Sequence, residues 1–175
     1  MGIIIEKATN SDIKTIQEIA TITWVNTYTF LPEGQIDYML DLMYNTKSLQ
    51  LQMQEDHQFF LAKLVDDSTN ITLPNSINNI IAFASVSKEN ANGIFKLNKL
   101  YVLPNNQKKG VGKALLQKVI EYCKQHAAKQ LQLQANRDNS AKIFYEKNGF
   151  TILYEADFEI GNGYFMNDYV MGLNL

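Results

Sequence analysis

The stretch Gln107-Lys108-Lys109-Gly110-Val111-Gly112-Lys113-Ala114 combines two closely spaced glycines with three lysines. It follows a short apolar run, Leu100-Tyr101-Val102-Leu103, and leads into an amphipathic pattern that continues to about His126. A strand that runs through a glycine loop into a helix start is a device for holding phosphate. The N–H groups of a helix's first turn lack intrahelical partners, and the helix dipole concentrates partial positive charge there. Glycine at 110 and 112 removes the Cβ atoms that would hold an anion away from those amides. Lys108, Lys109 and Lys113 add charge around the same loop. The chemistry expected of this stretch is the binding of a phosphorylated ligand.

Spacing narrows the choice of ligand. The nucleotide-binding pattern G-x-x-x-x-G-K-[ST] fails, because Gln107 stands at its first glycine and Ala114 at its metal-binding hydroxyl. The dinucleotide pattern G-x-G-x-x-G fails at Leu115, its third glycine position. What remains, Gln-x-x-Gly-x-Gly, resembles the pyrophosphate loop of the GNAT superfamily of acetyltransferases. About one helix and one strand further on, Ala141-Lys142-Ile143-Phe144-Tyr145-Glu146-Lys147-Asn148-Gly149-Phe150 resembles the Ala-x-x-Phe-Tyr-x-x-x-Gly-Phe segment of the same superfamily. The opening Ala8-Thr9-Asn10-Ser11-Asp12-Ile13 is similar to its first strand-to-helix junction, so the resemblance covers nearly the whole chain.

The resemblance implies acetyl-CoA as cosubstrate. Backbone amides from Gln107 through Lys108, Lys109, Gly110, Val111 and Gly112 to Lys113 are then expected on the pyrophosphate. The pantetheine arm is expected to pair with Leu100, Tyr101 and Val102 as an added strand, which requires two central strands to splay apart. Asn139 is placed beside the pantetheine, a role that competes with capping the following helix. Tyr145 falls at the general-acid position. A phenol with the ordinary pKa of about 10 is protonated at neutral pH and able to pass that proton to a leaving thiolate. A packed aromatic beside Phe144 is the alternative for Tyr145. Backbone N–H groups near Val102 are the expected oxyanion donors.

The acceptor side is less determined. Trp24 and Tyr28, with Phe30, match the superfamily's acceptor-side region, and core packing is the alternative for them. Some branches carry a glutamate base on the central strand, but Leu97-Asn98-Lys99-Leu100 has none. Glu33, Asp37 and Asp157 are carboxylate candidates for the base, with solvated surface charge as the alternative; proton loss to solvent is a further route. Gln35-Ile36-Asp37-Tyr38-Met39-Leu40 and the tail from Tyr164 to Met171 are similar to bacterial polyamine (spermidine/spermine) acetyltransferases. Acidic residues at 33, 37, 41, 155, 157, 159 and 168 suit a cationic acceptor. The expected function is transfer of acetyl directly to a primary amine of a small molecule, polyamines among the candidates. A protein or peptide N-acetyltransferase and a catalytically silent CoA-binding sensor stand as alternatives.

The elements that must position these residues follow from patterning. Ile13, Ile16, Ile19, Ala20 and Trp24 recur at three- and four-residue steps and predict a helix with one buried face. Further helices are predicted after Pro32 and near Ser48–Met53. Strands are predicted at Ile3–Ile5, Phe59–Val65, Ile80–Val86, Leu97–Leu103, Lys129–Ala135, Thr151–Ala156 and Tyr164–Leu173. Val111, Ala114, Leu115, Val119 and Tyr122 define the core face of the helix after the loop. Gly149 sits where a short helix from Ser140 ends. Asp66 to Asn79, rich in Ser, Asn and Asp, is expected to be an exposed, mobile loop. The fold expected is a single α/β domain over residues 1–175, a GNAT-like mixed, mostly antiparallel sheet with splayed central strands flanked by helices.

Composition bounds the rest. A 175-residue chain, 46% hydrophobic and 19% charged, has ordinary globular composition. Its net charge of −2 gives no reason to expect a nucleic-acid partner. The one cysteine, Cys123, suits a reducing compartment and reads as a packed residue. His57 and His126 are the only histidines, so no metal site is expected. No apolar run approaches a membrane span or secretory leader, and a cytoplasmic protein is expected, with a homodimer left open.

Overall fold

The computed structural model describes residues 2–65 and 77–175, so most of the Asp66–Asn79 segment lies outside the described residues. The order of elements is β1 (Gly2–Lys7), α1 (Ile13–Thr27), α2 (Gln35–Tyr44), α3 (Thr46–Gln54), β2 (Gln58–Val65), β3 (Ile80–Lys88), β4 (Ile94–Val102), α4 (Val111–Gln125), β5 (Gln130–Asn136), α5 (Ala141–Lys147), β6 (Thr151–Gly161) and β7 (Tyr164–Asn174). The seven strands form one sheet in the order β1-β2-β3-β4-β5-β7-β6. Every neighbouring pair is antiparallel except β4 and β5. The mixed α/β sheet expected from the sequence is the one observed.

Two apolar layers hold it. Alternate residues of the strands send Phe60, Ala84, Leu97, Val102, Leu131 and Leu133 to one side, where they pack on Val111, Leu115, Val119 and Cys123 of α4 and Tyr145 of α5. The opposite residues, Leu61, Phe83 and Tyr101 among them, meet Ile16, Ile19 and Trp24 of α1 and Leu49 of α3. The 3-10 turn Asn10–Asp12 that leads into α1 uses the capping chemistry read from Thr9 and Asp12: the Asp12 carboxylate accepts from the Thr9 backbone N–H at 2.8 Å. No helix among the described residues is long and apolar enough to cross a membrane.

Two irregularities prepare the centre. The β3–β4 register slips between Ser85↔Lys99 and Val86↔Leu97, leaving Asn98 as an extra residue in β4. The bulge lets Leu97 face α4 while Lys99 faces α2 and α3. On the other side of β4, the parallel pairing with β5 runs only from Ile94↔Gln130 to Leu97↔Leu133. Beyond those residues the two strands part.

Candidate active site

The parting of β4 and β5 opens a cavity of about 910 Å³. One wall is β4 from Leu97 to Val102, and the facing wall is Leu133, Gln134 and Ala135 of β5. The glycine loop closes one end, and Tyr28 and Phe30, just after α1, stand along another side.

The loop has the backbone of an anion cradle. Lys108 adopts φ 60 and Gly110 φ 83, two left-handed residues in a four-residue stretch, which aims successive N–H groups into one concavity. The first helical hydrogen bond recorded there runs from Ala114 N–H to the Gly110 carbonyl, at 2.9 Å. The amides of Val111, Gly112 and Lys113 precede it and are left to a ligand. At Gly112 an added Cβ would sit 3.6 Å from Val102 Cγ2 and 3.7 Å from Phe144 Cζ, in ordinary contact on the cavity wall. Gln107 anchors the loop to the strand by donating from Nε2 to the Val102 carbonyl at 3.2 Å.

Most residues singled out in the sequence come together here. Leu100, Tyr101, Val102, Gln107, Lys108 and Gly110 line the cavity, as do Gly112, Lys113, Asn139, Tyr145 and Tyr28. Three stand off the wall. Lys109 turns back and donates from Nζ to the Asn105 carbonyl at 2.8 Å. The Val111 side chain is buried under the sheet, so that residue offers the cavity only its backbone N–H. Trp24, read as an acceptor contact, is 1% exposed, and its Nε1 donates to Tyr44 Oη at 3.3 Å. It lies one helical turn before Tyr28, with ring centroids 4.4 Å apart, and supports Tyr28 from behind.

Asn139 lines the cavity, while the cap position of α5 falls to Ser140 and not to Asn139 as expected. Its Oδ1 accepts from the Ala141 N–H at 2.9 Å, just ahead of α5, and its side chain stands close to Tyr28. Tyr28 stands close to Tyr101, and the Tyr101 ring meets Tyr44 edge-on at 6.4 Å. This cluster of phenols was not legible in the sequence, because its members come from the end of α1, from α2 and from β4 and have no common spacing. Burial raises the pKa of Tyr28, Tyr44 and Tyr101, so all three stay protonated.

Tyr145 is held by the end of its own helix. Phe150 N–H donates to the Tyr145 carbonyl and Gly149 N–H to the Glu146 carbonyl, a Schellman closure with Gly149 at φ 90. The Tyr145 and Phe150 rings meet edge-on at 5.6 Å, and Phe144 meets Tyr145 at 5.2 Å. Burial, with Tyr28 nearby, pushes the Tyr145 phenol well above its ordinary value. It keeps its proton at any working pH.

The carboxylates proposed as bases do not reach the cavity wall. Asp157 and Glu155 pair with Arg137, Asp37 lies in the first turn of α2, and Glu33 is met through its carbonyl by the Tyr164 hydroxyl. One charged group on the cavity wall, Lys99, was missed, and one acidic position, Asp168, is buried away from that wall. Lys99 lines the cavity yet is 6% exposed; burial, then Lys96, pulls its pKa down to about 8. Asp168 on β7 is 5% exposed, its Oδ1 has no partner among the described residues, and burial lifts its carboxyl to about 6.

Comparison with known proteins agrees with this geometry. A family model described as Acetyltransferase (GNAT) domain matches residues 55–152, more than half of the chain. An uncharacterized N-acetyltransferase, YhfO, of Bacillus subtilis (strain 168) is 41% identical over 69 residues, 39% of this chain and 44% of that protein. The match therefore spans less than half the length of that relative. Among solved structures, the PaiA N-acetyltransferase of Thermoplasma acidophilum in complex with coenzyme A is 26% identical, with a TM-score of 0.77 and full coverage of both chains. A GCN5-related N-acetyltransferase from Rhodopseudomonas palustris, 16% identical, superposes with a TM-score of 0.79 over 100% of this chain and 97% of its own.

Proposed function

The chain belongs to the GNAT acetyltransferase domain family, and on that premise we propose that it is an acetyl-CoA-dependent N-acetyltransferase acting directly on a primary amine of a small molecule. The observation that carries the reading is the parting of β4 and β5 beyond Leu97 and Leu133, with an anion cradle at one end of the gap. The fit to coenzyme A is chemical. Free amides at Val111–Lys113, with Lys108 and Lys113 beside them, match a pyrophosphate. The unpaired edge of β4 from Leu100 to Val102 matches the amide-bearing pantetheine arm.

Acetyl-CoA supplies an activated acetyl thioester. Everything else is the work of this chain. The loop amides and the two lysines hold the phosphates. Backbone N–H groups on the open edge of β4, near Val102, are the donors for the carbonyl oxygen. Tyr145 Oη holds the proton that the departing sulfur takes, burial keeping the phenol protonated in the free protein. Asn139 steadies the start of the Tyr145 helix. The acceptor amine loses its proton to water, since no carboxylate considered for that role stands on the wall.

A polyamine acceptor is the narrower reading from the sequence. The acidic residues that favoured it, at 33, 37, 41, 155, 157, 159 and 168, are absent from the cavity wall, where Asp138 is the one carboxylate among the described residues. A peptide acceptor, a silent CoA sensor and a homodimer gain no specific support. The test is acetyl-CoA-dependent thiol release on a panel of amines, with Tyr145→Phe alongside. Turnover on an amine class that falls sharply in the variant supports the assignment. Failure to bind acetyl-CoA overturns it.

A further inference from the structure

Lys99 is the charged side chain on the cavity wall nearest the point where β4 and β5 part. It lies two residues past the last pair, Leu97↔Leu133, while Lys108 and Lys113 lie at the phosphate end. Its Nζ donates to Gln52 Oε1 at 2.6 Å. Gln52 is clamped in that orientation, because its Nε2 donates to the Met43 carbonyl at 2.9 Å and to Ser48 Oγ at 3.1 Å. The ammonium also lies over the Tyr44 ring at 5.3 Å and the Phe59 ring at 5.7 Å.

What Lys99 lacks is an anion. No carboxylate forms an ion pair with it among the described residues. The charge that acts on its pKa is Lys96, of the same sign. The groups around it repeat the pattern. Ser85, its register partner on β3, is fully buried, and its Oγ has no hydrogen-bond partner. His57, close enough for its charged form to be opposed by Lys99, has a buried Nδ1 that is also unpartnered. A buried cation with neighbouring unfilled hydrogen-bonding groups is an expensive arrangement unless something completes it. With a pKa near 8, Lys99 is still largely charged at neutral pH.

Resting on the transferase reading above, we infer that Lys99 takes an anionic group of the acceptor, so that the preferred acceptor is an amine that also carries a carboxylate. Ser85, the register partner of Lys99, lies behind that contact on β3. The carboxylate end anchors against β4 on the α2/α3 side and leaves the amine free to face the gap between the strands. A simple diamine has nothing to offer Lys99 and is repelled by it.

The test uses amine pairs that differ only by a carboxylate: ornithine and putrescine, lysine and cadaverine, tyrosine and tyramine. Thiol release is measured with the native protein, Lys99→Met and Lys99→Arg. Methionine keeps the length and removes a desolvated charge, a change buried sites tolerate. The expected result is a preference of at least about tenfold in kcat/KM for the carboxylated member of a pair. That preference should vanish in Lys99→Met, mainly through KM, and survive in large part in Lys99→Arg. Equal or better turnover of the decarboxylated member by the native protein overturns the inference, and so does a preference that persists in Lys99→Met. If no amine is turned over, calorimetry of the same pairs with the CoA-loaded native protein and Lys99→Met decides. Carboxylate-dependent binding lost in the variant upholds the anion contact while removing the transferase reading. Binding indifferent to the carboxylate removes the contact.

Discussion

In the proposed reaction Tyr145 Oη is the proton source, and Tyr145→Phe isolates it. The ring packing against Phe144 and Phe150 is retained, so the variant should fold as the native protein does. Its kcat is expected to fall by about 10²- to 10⁴-fold with little change in the affinity for acetyl-CoA, read by steady-state kinetics and calorimetry. Asp168 makes a different prediction, in stability. Its folded pKa, about 6, lies above the ordinary carboxylate value, so between about pH 4 and pH 6 the folded chain binds more protons than the unfolded one. Stability from this group is therefore present at low pH and lost as pH rises through 6. Asp168→Asn should raise the denaturant midpoint at pH 7 and leave it nearly unchanged near pH 4. Cys123, fully buried and with its thiol pushed up to about 12, should resist iodoacetamide in the folded protein and react on unfolding. Mass spectrometry of the alkylated chain reads that directly.

Among the elements, the glycine loop carries the sharpest expectation. Gly110 stands at φ 83 with nothing within 4 Å of an added Cβ, so Gly110→Ala meets no clash, only the backbone cost of a left-handed residue, about 1–2 kcal/mol. Thermal unfolding should drop by several degrees, and acetyl-CoA binding should weaken as the loop relaxes. How far the elements were legible depended on what encodes them. The alternation of Leu131, Leu133 and Ala135, and the helical spacing from Val111 to Tyr122, report burial of one face, and both elements appear within a few residues of the expected span. β6 runs on to Gly161, five residues beyond the expected Ala156, because its pairing with β7 continues through the alternating Asp157, Phe158, Glu159 and Ile160. Trp24 and Tyr28 share one helical stripe, and spacing alone does not tell which of the two reaches the cavity. Lys99 was hidden by the bulge at Asn98, which reverses the facing of every residue after it. The burial of Asp168 depends on β7 lying beside Asn136 of β5, a long-range fact with no local pattern.

At the scale of the whole molecule, the sheet is two antiparallel blocks, β1–β4 and β5–β7–β6, joined by four residue pairs between Ile94–Leu97 and Gln130–Leu133. A ligand lying in the gap touches both blocks and should add to global stability by mass action. Acetyl-CoA at a hundred times its dissociation constant is expected to add about 2.7 kcal/mol, an increase of several degrees in thermal midpoint. The same seam has a consequence for solvent exchange. In most sheets the middle strands exchange their amide hydrogens last and the edges first. Here the amides of β4 beyond Leu97 that point toward β5 have no strand to bond, although they lie at the centre of the molecule. Deuterium should enter that central seam early in the free protein, ahead of the paired β3–β4 interface beside it. Acetyl-CoA should slow the exchange there by a large factor, so that the cofactor becomes readable as the missing rung of the ladder.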